Sequence, residues 1–198
     1  MAGFNINDFQ AQGLALGGAR PTQFIVRIAA PPPGIGASAT QQLQFLAHSA
    51  SLPASTINQI DIPYFGRKIP IAGDRVYDNW TINIMNDEDF NLRAMFEAWH
   101  SKMNTAISNR LDPSFFPLGY KVQAEVLQFG KTGPGTDAGA VRSYLFNGLF
   151  PINISQIDLD WAQTNQVETF NVTFAYDEWV PNIQGSASDV YSPTLNPA

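Results

Sequence analysis

At 198 residues, with 44% hydrophobic side chains and 14 Phe among them, the chain is sized for one domain that buries roughly 70% of the surface its unfolded form exposes and needs no staple to hold it. Charged residues make up only 14%, well under the usual quarter, which leaves a surface suited to become interface. The net charge of −6 disfavours attraction to phosphates, and the absence of cysteine excludes disulfides, thiolate metal sites and thiol nucleophiles; with neither a signal peptide nor a long apolar run, an unprocessed chain without a membrane anchor is expected.

Residues 1–21, rich in Gly, Ala, Asn and Gln without a sustained period, read as an N-terminal arm, and 181–198 as a C-terminal arm, flanking a single β core over 22–180. The core opens with Thr22 to Ala29, where Phe24, Val26 and Ile28 alternate with Gln23, Ile25 and Arg27. The prolines and glycines of Ala30 to Thr40 break any ladder or helix and predict a loop. Leu43 to Leu52 reads as the next strand and Ile57 to Ile62 as a short β segment. Pro63 to Asp78 is a long polar and basic excursion, predicted as a protruding hairpin or loop carrying Arg67, Lys68 and Arg75. Trp80, Ile82 and Ile84 alternate with Thr81, Asn83 and Met85, which predicts a half-buried strand over Asn79 to Met85.

Leu92, Met95, Phe96, Trp99 and Met103, three or four apart, predict one helix over about 87–104. Asp87, Glu88 and Asp89 suit the positive end of its dipole and His100 and Lys102 the negative end, with an Asp89–Arg93 pair expected on the outer face. A proline-containing link from Leu111 to Gly119 leads to a strand with Tyr120, Val122, Ala124 and Val126 on one face. Gly130 to Gly139 reads as a glycine-rich hairpin loop, and Tyr144 to Phe150 and Ile157 to Trp161 as strands joined through Pro151. Gln166 to Tyr176 closes the series, with Phe170, Val172, Phe174 and Tyr176 inward and Thr169, Asn171, Thr173 and Ala175 outward. The predicted fold is mainly β, an antiparallel β-sandwich or barrel with one flanking α-helix.

The motifs that imitate chemistry each lack a part. FGKTG at 129–133 ends like a phosphate-binding loop, but Glu125 stands where the first glycine belongs and no helix follows. Glu97 and His100 have the spacing of a helical metal site without the further carboxylates it needs, and His48 is the only other histidine. Asp158 and Asp160 could imitate a glycosidase pair, yet two acids alternating with Ile157, Leu159 and Trp161 mark a solvated strand face. No nucleophile elbow or triad context is present, and the sequons at Asn79, Asn153 and Asn171 are chance matches without a secretion signal. No catalytic residue, cofactor or metal site is therefore assigned.

Two blocks carry a resemblance. IPYFGRKIPIAGDRVYDNWTINIMNDEDF at 62–90 and NGLFPINISQIDLDWAQTNQVETFNVTFAYDEW at 147–179 are similar to the tail tube proteins of T4-like contractile-tailed bacteriophages, and ARPTQFIVRI and LPAS extend the likeness more weakly over most of the chain. The departures are the proline-rich loop after Ala30, the link at Leu111 to Gly119 and the tail beyond Trp179, each longer here.

The resemblance implies a structural virion protein, not an enzyme, assembled in the host bacterial cytoplasm. It implies hexameric rings, with strands pooled into one barrel, stacked as the inner tube of a contractile sheath. The implied partners are further copies of the chain, the tail sheath protein, the baseplate and tail terminator proteins, the tape measure protein, and double-stranded DNA that passes through the lumen without specific binding. By analogy with the matching family loop, Arg67, Lys68, Asp74 and Arg75 are inter-ring contact candidates. A lumen lined by carboxylates would repel phosphates, which makes Glu125, Asp158, Asp160 and Glu168 the acidic candidates. The alternatives are the inner tube of a phage-derived contractile injection system carrying protein effectors, and, more remotely, a carbohydrate-binding β-sandwich module.

Overall fold

Period-two patterning dominates the computed structural model, which describes residue 6 and residues 18–29, 31–35, 38–131 and 139–182. In chain order the elements are β1 (Phe24–Ile28), α1 (Ser38–Leu46), β2 (Ala47–Ala50), β3 (Thr56–Tyr64), β4 (Arg67–Val76), β5 (Trp80–Met85), α2 (Asn91–Met103), β6 (Val122–Phe129), β7 (Ala140–Ile154), β8 (Thr169–Ala175) and β9 (Glu178–Asn182). All pairings are antiparallel. One sheet runs β1-β6-β7-β8-β5-β2, with β9 also on β7, and among the described residues β3 and β4 pair only with each other.

The long sheet is two half-sheets that share β7. Ala140 to Leu149 pairs with β6, and β9 lies along Ser143 to Asn147, while Phe150 to Ile154 pairs with β8. The corner lies at Gly148, whose φ of +67° suits only glycine. A Cβ there would sit 2.1 Å from Asp177 Oδ2, and Lys121 holds that carboxylate at 2.6 Å while the Asp177 N–H donates to the Asn147 carbonyl at 3.0 Å. Strands that pass between sheets at such kinks are how sandwich corners are built.

The inward residues of both halves form one core. Val26, Ala124, Val126, Phe146 and Leu149 come from one half and Trp80, Ile82, Ile84, Phe170, Val172 and Phe174 from the other. Trp80 stacks on Phe146 at 4.5 Å, joining the halves directly, and donates its indole N–H to the Ser51 carbonyl at 2.8 Å. Helix α2 buries Leu92, Met95, Phe96 and Trp99; Phe96 meets Phe174 edge-on at 5.8 Å, and Trp99 donates to the Tyr120 carbonyl. Large aromatic side chains dominate the burial, as their area leads one to expect.

Several expectations are corrected. Leu43 to Leu52 is not one strand: Ala39 and Leu43, four apart, are buried on a helix that leaves Phe45 exposed, so α1 is a second helix and only Ala47–Ala50 is strand. Helix α2 starts at Asn91 because Phe90 is left-handed (φ 53°), so Asp87, Glu88 and Asp89 precede its first turn. Arg93 pairs with Glu97 at 2.8 Å rather than with Asp89, donates to the Ser155 carbonyl and lies over the Phe170 ring. Ile157 to Trp161 is not a strand, since no neighbour pairs with it. The core also continues past 180 as β9, inside the expected C-terminal arm. The N-terminal arm before residue 18, Ala30 and much of the glycine-rich loop at 130–139 lie outside the described residues, apart from Ile6.

Two predictions follow from the corner and the helix. Gly148→Ala should destabilise the subunit by about 2 kcal/mol, through a left-handed alanine and the loss of room for Asp177, read as a lower urea midpoint. His100 has its pKa lowered from 6.5, first by burial, with the Pro151 carbonyl opposing. The unfolded chain therefore takes up this proton more readily than the folded one. The stabilising contribution is complete above the ordinary value of 6.5 and is lost as pH falls through the lowered folded value. Thermal scans between about pH 7.5 and pH 5 should show a fall in Tm that His100→Gln reduces.

Candidate interaction surface

Hairpin β3–β4 stands off the core with every residue of β3 exposed and nearly all of β4. Its register places Ile60 opposite Ile71, Ile62 opposite Ile69 and Tyr64 opposite Arg67, so the four isoleucines share one bare face that ends in the Tyr64–Arg67 pair. On the other face Asp61 meets Lys68 at 3.6 Å and accepts a hydrogen bond from Gln59. An amphipathic ribbon whose apolar side faces solvent is a surface waiting for cover.

The tip departs from local preference. Tyr64 and Arg67 are joined by Phe65 and Gly66 alone, with φ of 43° and 79°, the positive values of a type I′ turn that Asn-Gly ordinarily supplies. A left-handed Phe costs about 1 kcal/mol or more, and this one is 90% exposed, touching the Tyr64 ring edge-on at 4.6 Å. Among the described residues that ring contact is the one interaction set against the strain.

The hairpin is tied at its base. Trp179 donates to the Ala54 carbonyl and Trp80 to the Ser51 carbonyl on the way in; Tyr77 packs against Tyr176 and Trp179 on the way out. These contacts sit at the end of the half-sheet where β5 starts and β8 finishes. At the opposite end, about 17 Å along a strand of six residues, loop 155–168 closes over the sheet. Asn86 bonds Glu168 through backbone and side chain, and Ser155 and Asn171 exchange bonds at 2.8 Å.

Between that loop and the outward side of β5 and β8 lies an open cleft of about 500 Å³, lined among others by Asn83, Ile157, Trp161, Val167, Glu168 and Asn171. Leu159 and Val167 are exposed and Trp161 fully so. Asp160 accepts from the Ala162 N–H at 2.9 Å and Asp158 from the Gln156 amide at 3.0 Å, so both are oriented by local turns. The outward sheet face itself is neutral and polar, with Thr81 bonded to Thr173 and Asn83 to Asn171 across strands.

Of the eight residues singled out from sequence, Arg67 and Lys68 fall beside the tip, whereas Asp74 and Arg75 lie near the base, about 20 Å away. Asp158, Asp160 and Glu168 line one cleft. Glu125 is apart from them, on β6 between Arg27 and Leu145. Phe65, the isoleucine face, Leu159, Trp161 and Val167 were not singled out; the alternation I-D-I opposite I-P-I around a two-residue turn was the available signal. Asp158 and Asp160 share their cleft with Glu168, Glu97 is paired with Arg93, and no metal-binding cluster occurs among the described residues.

The family model described as phage tail tube protein matches residues 19–182. The tail tube protein gp19 of Enterobacteria phage T4 is 35% identical over 140 residues, covering 70% of this chain and 82% of that one. The tail tube protein of Serratia phage KSP90 is 24% identical over 176 residues, covering 86% and 93%. Among solved structures, the sheath/tube terminator of the extracellular contractile injection system PVC in its extended state superposes with a TM-score of 0.58 at 13% identity, over 83% of this chain and 96% of that one. The tube terminating cap of the anti-feeding prophage gives 0.55 at 17%, over 84% and 91%. At such identities the two structures speak for the fold.

Replacing the strained tip should separate stability from use. Phe65→Asn suits the turn and should raise the stability of the isolated subunit by about 0.5–1 kcal/mol, a shift of roughly 1–4 °C in Tm by calorimetry.

Proposed function

This chain belongs to the phage tail tube protein family, and from that premise we propose that it works by assembly and not by catalysis, closing into hexameric rings that stack as the inner tube of a contractile tail. The observation that carries the reading is the β3–β4 hairpin: a ribbon with a bare isoleucine face and two edges unpaired among the described residues is a liability in a monomer and an asset in a closed assembly. Its Arg67, Lys68, Asp74 and Arg75 are the proposed axial contacts, with a head-to-tail interface that closes around the ring and repeats along the tube.

The half-sheet β7-β8-β5-β2 supports a pooled barrel, since it offers four strands. Six copies of about four strands spaced ~4.8 Å and tilted about 45° close at roughly 50 Å across, which leaves about 35 to 40 Å for a ~20 Å duplex. The neutral Thr and Asn face of β5 and β8 is the proposed wall. Its cross-strand Thr and Asn pairs hold no cation for phosphates to grip. Double-stranded DNA is the proposed cargo, with sheath, baseplate, terminator and tape measure proteins as partners and the host cytoplasm as the place of assembly. The second reading is the inner tube of a phage-derived contractile injection system carrying protein effectors, with which the shared fold is consistent.

Negative-stain microscopy of the purified protein across a concentration series tests the assembly. Six-fold rings or hollow cylinders are expected; a monodisperse monomer under every condition, with or without a preformed baseplate, overturns the reading in favour of a binding module.

A further inference from the structure

The tip and the cleft hang from opposite ends of the same two strands. Strand β5 leaves the hairpin base at Trp80 and reaches the loop end at Met85, and β8 returns from Thr169 to Ala175, where Tyr176 and Tyr77 meet beside the base. A projection at one end and a recess at the other is the geometry of an interface that propagates head to tail. Among the described residues neither feature is used within the subunit: there the hairpin pairs only with itself, and Leu159, Trp161 and Val167 face solvent.

Their chemistry matches. The tip presents two adjacent aromatic rings, Tyr64 and Phe65, followed at once by Arg67 and Lys68. The recess presents Leu159, Trp161 and Val167 with Asp158, Asp160 and Glu168 around them. Apolar meets apolar, and three acids meet Arg67 and the Lys68 that Asp61 shares at 3.6 Å, the pattern expected where charge fixes register around a buried anchor. The left-handed Phe65 points the same way, because backbone strain clusters at ligand clamps and other positions used in binding.

We infer that the Tyr64–Phe65 tip of one copy seats in the 155–168 cleft of the next copy along the tube, with Arg67 and Lys68 opposite Asp158, Asp160 and Glu168. This rests on the tube reading and names the acceptor for its axial contact. Asp158 and Asp160 then serve the joint between rings rather than the open wall, and Trp161 becomes a buried anchor on assembly.

A charge swap tests it, scored by the subunit concentration at which tubes appear. Arg67→Glu with Lys68→Glu, and separately Asp158→Lys with Asp160→Lys, should each raise that concentration at least about tenfold. All four together should restore it. Phe65→Asn should impair growth although it steadies the subunit, a combination that misfolding cannot produce. Because the chain has no cysteine, Phe65→Cys with Trp161→Cys adds a direct readout: oxidised tubes should run as a ladder of linked subunits on a denaturing gel. Tubes from every charge-reversed variant at the wild-type concentration, or tubes of the cysteine pair that never cross-link, overturn the pairing and leave the tube reading intact. A wild-type chain that forms no assembly sinks both.

Discussion

The close approach of the Gly148 backbone to Asp177 is the constraint on which the rest of the molecule depends. Drawn out straight, the 15 residues of β7 would span about 50 Å, longer than a domain of this size is wide. The left-handed glycine turns that strand through a corner, and the break between β8 and β9 turns with it. Both half-sheets then face the same interior, which is why Trp80 and Phe146 can stack although they belong to different halves. Every feature of the candidate surface hangs from β5 and β8, and their placement follows from where β7 bends.

The strands legible in the sequence were those with one buried and one solvated face. Trp80 to Met85 and Phe170 to Phe174 alternate cleanly because the core takes one side and the neutral ladder the other. Alternation alone misled at Ile157 to Trp161, where the pattern is present but no neighbour strand is; a strand is a relation between two segments, and a single segment cannot state it. The opposite error occurred at β9, whose Pro181 argues against a ladder. It is tolerated because β9 pairs with β7 alone and its other edge asks for no donor. Helix α1 hid because Leu43, Phe45 and Ala47 satisfy a period of two as well as Ala39, Leu43 and Leu46 satisfy the helical one.

The surface was half legible for a similar reason. Arg67 and Lys68 stood out as charges in a chain that has few, and the acids of the 155–168 loop stood out as a pair. What makes them a surface is apolar: four isoleucines aligned by register and a Phe held in the wrong region of backbone space. Neither can be read until the turn type is known, since a one-residue change of register would send those isoleucines to opposite faces. The charge that the chain does carry is unevenly spread, basic beside the tip and acidic beside the cleft, with a sheet face between them that balances its polar groups by hydroxyl and amide pairs.

A ribbon of two strands with no third partner is marginally stable in water, and this one holds its shape against solvent on both sides. Part of whatever energy its docking releases goes into stilling it. Two subunits meeting alone must bear that cost against a single contact, whereas a subunit arriving at an existing end finds a complete ring of recesses already fixed. Growth of such a polymer has a high threshold to begin and a low one to continue, so material gathers into a few long filaments instead of many stubs, and the place where a filament begins can be dictated by whatever first presents a ring of empty recesses.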